Sequence, residues 1–149
     1  MELQRVSKGL IYLTTHGSRA YGLNTPESDW DLKGICIPPT EYFFSPFQHF
    51  EQYEDAAGIR QLPGVVDKIP ADADVEGVVY DIRKFFRLAS DCNPNMIDIL
   101  NVPQNQILYI NDIGRTLRTH AQDFLSTKAR YTFTGYAMAQ LKRIKGHYE

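Results

Sequence analysis

The chain has 149 residues, of which 43% are apolar and 12% aromatic, so it can bury one core and does not have a disordered or repetitive composition. Its net charge of −2 argues against a general nucleic-acid coat protein, and no apolar run approaches the roughly 20 residues of a membrane span. The N-terminus has no signal-peptide core and the two cysteines have no metal-ligand spacing, so we expect reduced thiols in a cytoplasmic protein.

Short strands and helices are predicted to alternate in the first half of the chain. A helix over residues 2–8 precedes a strand over residues 9–15, and residues 18–23 form about one helical turn ended by Gly22. A second strand covers residues 29–38, and Thr40 caps a short helix that breaks at Ser45-Pro46. Residues 54–74, rich in Gly, Pro and acidic residues, are predicted to be a long excursion with a short hairpin.

The second half is predicted to be helical after one further strand. That strand covers residues 75–80, and Asp81 then caps a helix over residues 82–90 with an apolar face. Asn93-Pro94 ends this helix, and three more helices follow to the end of the chain. The pattern predicts an α+β fold, in which a small mixed sheet is flanked by helices. We assign residues 1–90 to a catalytic core and residues 91–149 to a helical C-terminal extension packed on it.

Two features between residues 16 and 38 suggest a site. Asp29 and Asp31 are two residues apart on a predicted strand, so both carboxylates point the same way, and a hard cation such as Mg²⁺ would relieve their repulsion. Gly17-Ser18 follows the preceding strand, where a turn aims backbone N–H groups at a phosphate. Each signal alone is weak, because Asp-x-Asp is usually solvated surface, but their order favours nucleotidyl or phosphoryl transfer.

Further residues are candidates on position and charge. A third carboxylate would come from Glu76, our first choice, or from Asp74, better explained as a loop charge, or Asp81, better explained as a helix cap. Four side chains have a binding role and a structural role as alternatives: His16 for metal or phosphate, Arg19 and Tyr21 for phosphate or base, and Lys84 for the triphosphate.

The stretch GSRAYGLNTPESDWDLKGICIPP resembles the signature of the DNA polymerase β-like nucleotidyltransferase superfamily, in which Gly-Gly or Gly-Ser precedes Asp-x-Asp. It is most similar to the bacterial and phage branch that includes RNA-ligase-associated polymerase-β-like proteins, as are the patches YDIRKFFRLASDCNPNMIDIL and FTGYAMAQLKRIK. The resemblance implies a minimal nucleotidyltransferase fold, with Gly17 and Ser18 at the triphosphate and Asp29 and Asp31 on Mg²⁺ or Mn²⁺. It maps the third carboxylate to Glu76, where a glutamate beside a glycine departs from the usual pattern. Relatives in the branch often continue further, so we expect either a short form or a truncated chain.

We therefore expect an enzyme that transfers NMP from an NTP to a hydroxyl acceptor and releases pyrophosphate. An RNA 3′ end is slightly favoured, because residues 82–149 carry ten Lys or Arg and five Asp or Glu, whereas residues 1–81 carry six and thirteen. A protein hydroxyl (AMPylation) or a small molecule remains open as acceptor, and a protein partner or homo-oligomer is expected rather than a membrane. The alternative is a non-catalytic nucleotide- or partner-binding module of the antitoxin type, which would not need the third carboxylate.

Overall fold

A five-stranded mixed sheet with helices on both faces organises the chain in a computed structural model that describes residues 1–148. The strands are β1 (Leu10–His16), β2 (Trp30–Cys36), β3 (Gln52–Tyr53), β4 (Val75–Asp81) and β5 (Ile107–Ile110). The helices are α1 (Leu3–Gly9), α2 (Glu41–Phe44), α3 (Ala56–Ile59), α4 (Val65–Lys68), α5 (Ile82–Ser90), α6 (Pro94–Leu100), α7 (Asp112–Thr119) and α8 (Ala129–Tyr148). The α+β prediction is confirmed.

The sheet has the strand order β3-β4-β2-β1-β5. β1 pairs antiparallel with both β2 and β5, and β3 is an antiparallel edge strand on β4. β2 and β4 are parallel, so the chain must cross over between them, and residues 37–74 with α2, β3, α3 and α4 make this connection. Because of this crossover, two strands far apart in sequence begin side by side at the same edge.

Each face of the sheet has its own apolar core. One core combines Leu13, Leu32 and Val79 of the strands with side chains of α1 to α4 and their connections. The other combines Tyr12 and Ile35 with side chains of α5, α6 and α7. Because side chains alternate along a strand, successive strand residues pack against helices on opposite faces of the sheet.

Several predicted elements are confirmed and others are wrong. α1, β1, β2, β4 and α5 lie within about two residues of their predicted bounds, and Asp81 caps α5 as expected. The second half is not wholly helical, because β5 adds to the sheet beside β1. The predicted hairpin in residues 54–74 is replaced by α3 and α4, and Thr40 does not cap α2, since its backbone is itself helical and its side chain makes no cap bond.

The last helix, α8, is held mainly at its start. The Thr132 hydroxyl donates to the Cys92 carbonyl oxygen at 2.7 Å, and Lys128 forms an ion pair with Asp91 just before the helix. Further along, apolar side chains remain largely exposed, among them Met138, Leu141 and Ile144. Within residues 1–148, none of the helices has the length and apolar character that a membrane crossing requires.

Candidate active site

Three neighbouring strands bring His16, Asp31 and Glu76 into one row across the sheet. His16, the last residue of β1, pairs with Asp31 of β2, and Asp31 pairs in turn with Glu76 of β4. Directly paired residues on adjacent strands project from the same face, so the row forms one surface at the edge where β1 ends and β2 and β4 begin. Asp29 lies two residues before Asp31, immediately before β2.

The Gly17-Ser18 turn begins directly beside this row. Gly17 has a φ of +67°, in the left-handed region that favours glycine, and Gly22 has a φ of +69° where the turn ends. Between them the chain makes one helical turn, in which the Tyr21 N–H donates to the Gly17 carbonyl oxygen at 3.2 Å and the Leu23 N–H donates to that of Ser18 at 2.8 Å. The predicted single turn stopped by Gly22 is confirmed.

The turn and the carboxylates approach each other closely. A Cβ atom added at Gly17 would lie 3.8 Å from Asp31 Oδ2, and Ser18 is exposed next to it. A ligand bound by the turn would therefore be within reach of the Asp31 carboxylate.

Arg19 holds the loop that carries Asp29. Its guanidinium stacks on the Trp30 ring, 3.8 Å from the centroid, and Nη2 donates to the Ser28 carbonyl oxygen at 2.7 Å. The same side chain borders a cleft of about 620 Å³ that is also lined by Asp29 and Asp74. Arg19 thus connects the Gly17-Ser18 turn to the loop that carries Asp29. That Arg19 binds a nucleotide stays a prediction.

Asp31 is engaged on both carboxylate oxygens. His16 Nδ1 lies 3.4 Å from Oδ2, and the Lys33 ammonium lies 3.2 Å from Oδ1. Burial disfavours the charged carboxylate, but the hydrogen bond to His16 and the attraction of Lys33 outweigh it, so the pKa of Asp31 lies below its ordinary value. His16 Nε2 is buried without a hydrogen-bond partner in the described residues.

The three candidates for the third carboxylate occupy different surroundings. Glu76 is exposed and in register with Asp31. Asp81 lies five positions further along β4 and therefore projects from the opposite face of the sheet. Its side chain is 1% exposed, and it caps α5 and binds the Arg83 guanidinium. Asp74 is exposed just before β4, where its carbonyl oxygen accepts the Trp30 N–H at 2.9 Å. Register and face favour Glu76, as the sequence did.

Tyr21 touches this row and Lys84 does not: the Tyr21 ring packs edge-to-face against the His16 ring, with 6.5 Å between the centroids. The Tyr21 hydroxyl bonds the Asp98 carboxylate of α6, and partial burial together with that carboxylate raises the pKa of Tyr21 above its ordinary value. Lys84 lies in the first turn of α5, beyond the end of β4 opposite Glu76, where its ammonium bonds Gln52 at 2.6 Å and Glu51 at 3.3 Å. The structure does not bring Lys84 to the row, because β4 separates the two ends of the sheet.

The metal ligands predicted from sequence stay a prediction. Among the residues that the structure describes, no three His, Cys, Asp or Glu side chains are grouped so that they could hold a metal ion. The Asp31 carboxylate faces Lys33 and His16, while Asp29 and Glu76 are exposed. Lys33 is the residue that the sequence reasoning missed, although its position two residues after Asp31 on a strand predicts that it shares a face with it.

The sheet, the glycine turn after β1 and the carboxylate row define the class of the protein, a small polymerase-β-like nucleotidyltransferase fold. More specifically, the chain belongs to the RNA repair pathway DNA polymerase beta family, whose model matches residues 1–147. The family predicted from the sequence is therefore confirmed.

Two relatives align with most of this chain. The "Uncharacterized 38.9 kDa protein in nrdC-mobD intergenic region" of Enterobacteria phage T4 is 25% identical over 136 residues, which cover 87% of this chain and 38% of the relative. The "Uncharacterized protein YcgL" of Bacillus subtilis (strain 168) is 29% identical over 129 residues, which cover 80% of this chain and 43% of the relative. The chain thus spans less than half the length of these relatives.

Proposed function

We propose that the protein is a metal-dependent nucleotidyltransferase, which transfers NMP from an NTP to a hydroxyl acceptor and releases pyrophosphate. The observation that carries this proposal is the register that aligns His16, Asp31 and Glu76 directly beside the Gly17-Ser18 turn. A turn suited to phosphate and carboxylates suited to a cation meet at one sheet edge, in a chain that belongs to the RNA repair pathway DNA polymerase beta family.

The donor set suits Mg²⁺ or Mn²⁺ in the chemical kind of its ligands. Asp29, Asp31 and Glu76 offer carboxylate oxygens, which hard divalent cations prefer, and Asp31 and Glu76 are neighbours across two parallel strands. When bound, such an ion would neutralise charge on the triphosphate. Asp29 and Glu76 are exposed and have no hydrogen bond or ion pair within residues 1–148 that would have to break before they bind an ion.

The chain's own residues have distinct tasks in the proposed reaction. The backbone of Gly17 and the hydroxyl of Ser18 hold the phosphates, and Arg19 and Tyr21 fix the turn that presents them. The acceptor oxygen forms a bond to the α-phosphorus while the bond from that phosphorus to the bridging oxygen breaks, so pyrophosphate leaves with the electron pair. The acceptor proton passes to the carboxylate of Glu76, which is exposed to solvent.

We further propose an RNA 3′ end as acceptor. Two features support it: the family's description as part of an RNA repair pathway, and the excess of Lys and Arg in residues 82–149. A protein hydroxyl is the second acceptor to be tested, since the site itself does not distinguish the two.

Incubation with α-phosphate-radiolabelled NTPs and Mn²⁺ or Mg²⁺ tests the proposal. We expect label on an RNA with a free 3′-hydroxyl, no label on the same RNA with a blocked 3′ end, and loss of label in Asp31→Asn and Glu76→Gln. Asp67→Asn is a matched control, because Asp67 is an exposed carboxylate on α4, outside the row. If none of the four NTPs labels either RNA or protein, the proposal is contradicted.

A non-catalytic nucleotide-binding module is the second candidate. The ion pair of Lys33 with Asp31 favours it, because a carboxylate already neutralised by lysine has less need of a metal. Calorimetry separates the candidates: the module binds NTP equally well in EDTA and in Glu76→Gln, and it turns over no substrate.

A further inference from the structure

Lys33 projects from the same face of the sheet as His16, Asp31 and Glu76, but it lies further from the end of the sheet. Its register partners are Thr14 of β1 and Val78 of β4, one step inward from His16 and Glu76. The Lys33 side chain is 18% exposed, against 41% for Asp31. A mostly buried ammonium needs an anionic or hydrogen-bonding partner, because leaving such a charge unpaired is costly.

Asp31 is the carboxylate that meets this need. It lies 3.2 Å from the Lys33 ammonium, and no other acidic side chain of residues 1–148 forms an ion pair with Lys33. The other Asp31 oxygen faces His16, on the side of the Gly17 turn. A cation that approaches Asp31 from the turn therefore meets a carboxylate whose charge Lys33 already neutralises.

A divalent cation on Asp31 would lie close to the Lys33 ammonium, and the two would compete for this carboxylate, because two positive groups a few ångströms apart repel each other. An anionic triphosphate removes the conflict, since it supplies oxygens to both. We infer that Lys33 neutralises the Asp31 carboxylate in the substrate-free protein in place of a metal ion, and that its ammonium turns to the phosphates of the incoming nucleotide when the metal binds. Lys33 is thus a substrate-binding residue that couples metal binding to nucleotide binding. This inference rests on the proposed function.

A neutral substitution of Lys33 should have two opposite effects. Without nucleotide, Asp31 loses its competing cation, so we expect Lys33→Met to bind Mn²⁺ at least about fivefold more tightly than the wild type, the lower end of typical coupling between sites. With a non-hydrolysable α,β-methylene NTP, the phosphates lose a cationic partner, so the same variant should bind the nucleotide with Mn²⁺ more weakly. A loss of structure would weaken both, so the opposite signs identify the coupling.

Electron paramagnetic resonance measures free Mn²⁺ during titration of the full chain without nucleotide, and equilibrium dialysis measures how much NTP analogue and Mn²⁺ the protein retains when both are present. Lys33→Gln is a second neutral variant, and Lys33→Arg keeps the charge. Lys128→Met is the matched control, because it removes a lysine paired with Asp91 on the surface, outside the row.

The outcomes separate this inference from the function on which it rests. Tighter Mn²⁺ binding together with weaker nucleotide binding in both neutral variants, and neither in Lys33→Arg or Lys128→Met, supports the coupling. Equal Mn²⁺ binding by the wild type and both neutral variants, lost in Asp31→Asn, overturns the coupling and leaves the metal site intact. If no variant binds Mn²⁺ even with the nucleotide analogue, both the coupling and the proposed function are overturned.

Discussion

Replacing Asp81 by alanine should destabilise the fold without touching the proposed chemistry. The Asp81 carboxylate accepts the Arg83 N–H at 2.7 Å as the cap of α5, and loss of a helix cap costs about 1 kcal/mol. It also accepts the Arg83 guanidinium through Nε at 3.1 Å and Nη2 at 2.5 Å. Because the Arg83 side chain is 42% exposed, water partly replaces this partner, and we assign about 1–2 kcal/mol to the pair.

The two contributions lower the free energy of unfolding by about 2–3 kcal/mol, which shifts Tm by roughly 4–12 °C for a chain of this size. Glu76 is the matched comparison, since it lies on the same strand but projects from the opposite face and is exposed. We expect Glu76→Gln to change stability by less than about 0.5 kcal/mol and to reduce NMP transfer by about a hundredfold or more.

Urea unfolding followed by circular dichroism gives the stabilities, and the radiolabel assay at low temperature gives transfer per folded molecule. We expect the two variants to separate stability from activity: Asp81→Ala is less stable but retains NMP transfer, while Glu76→Gln is stable but inactive. If folded Asp81→Ala is inactive and Glu76→Gln retains transfer, the assignment of the third carboxylate from register and face is refuted.

Three further predictions follow from ionisation and burial. Because the pKa of Asp31 is lowered on folding, its contribution to stability is present above the unfolded pKa and is lost as pH falls, so the free energies of unfolding of Asp31→Asn and wild type should converge as pH falls below about 4. Because the pKa of Tyr21 is raised, stability should fall as pH rises above about 10, and less steeply in Tyr21→Phe. Burial raises the pKa of the Cys36 thiol to about 12 and Cys92 is also buried, so Ellman's reagent should react with both thiols only after denaturation.

Local sequence chemistry was sufficient for the turn and for the first two carboxylates. Gly17 and Gly22 mark the ends of one helical turn, and Asp29 and Asp31 lie at the start of the strand that follows it. Both features belong to antiparallel neighbours that follow each other directly in the chain, joined by residues 17–29, so sequence proximity and spatial proximity coincide. The same holds for the Asp81 cap, which depends on the next few residues alone.

Longer-range features could not be obtained in this way. β5 has only four residues, and nothing local distinguishes its apolar run from a helix segment; its pairing with β1, about a hundred residues earlier, defines it as a strand. Glu76 could be preferred over Asp74 and Asp81 but not aligned with Asp31, because the parallel register depends on how residues 37–74 cross over. Lys84 failed to reach the row for the same reason, since the direction of β4 decides which end of the sheet α5 begins at.

The partners of the acidic side chains distinguish the ones that build the fold from the ones available for chemistry. Within residues 1–148, Asp81 and Glu51 are each held by cations of α5, and Asp55 caps α3. Asp29 and Glu76 take part in no ion pair there, although Asp29 precedes Asp31 by two residues and Glu76 is the register partner of Asp31 on β4. Asp31 stands between the two groups, because its cation, Lys33, belongs to the same strand and the same face. Negative charges at one end of a sheet repel each other, and Lys33 neutralises that of Asp31 alone, so this end of the sheet favours a further bound cation.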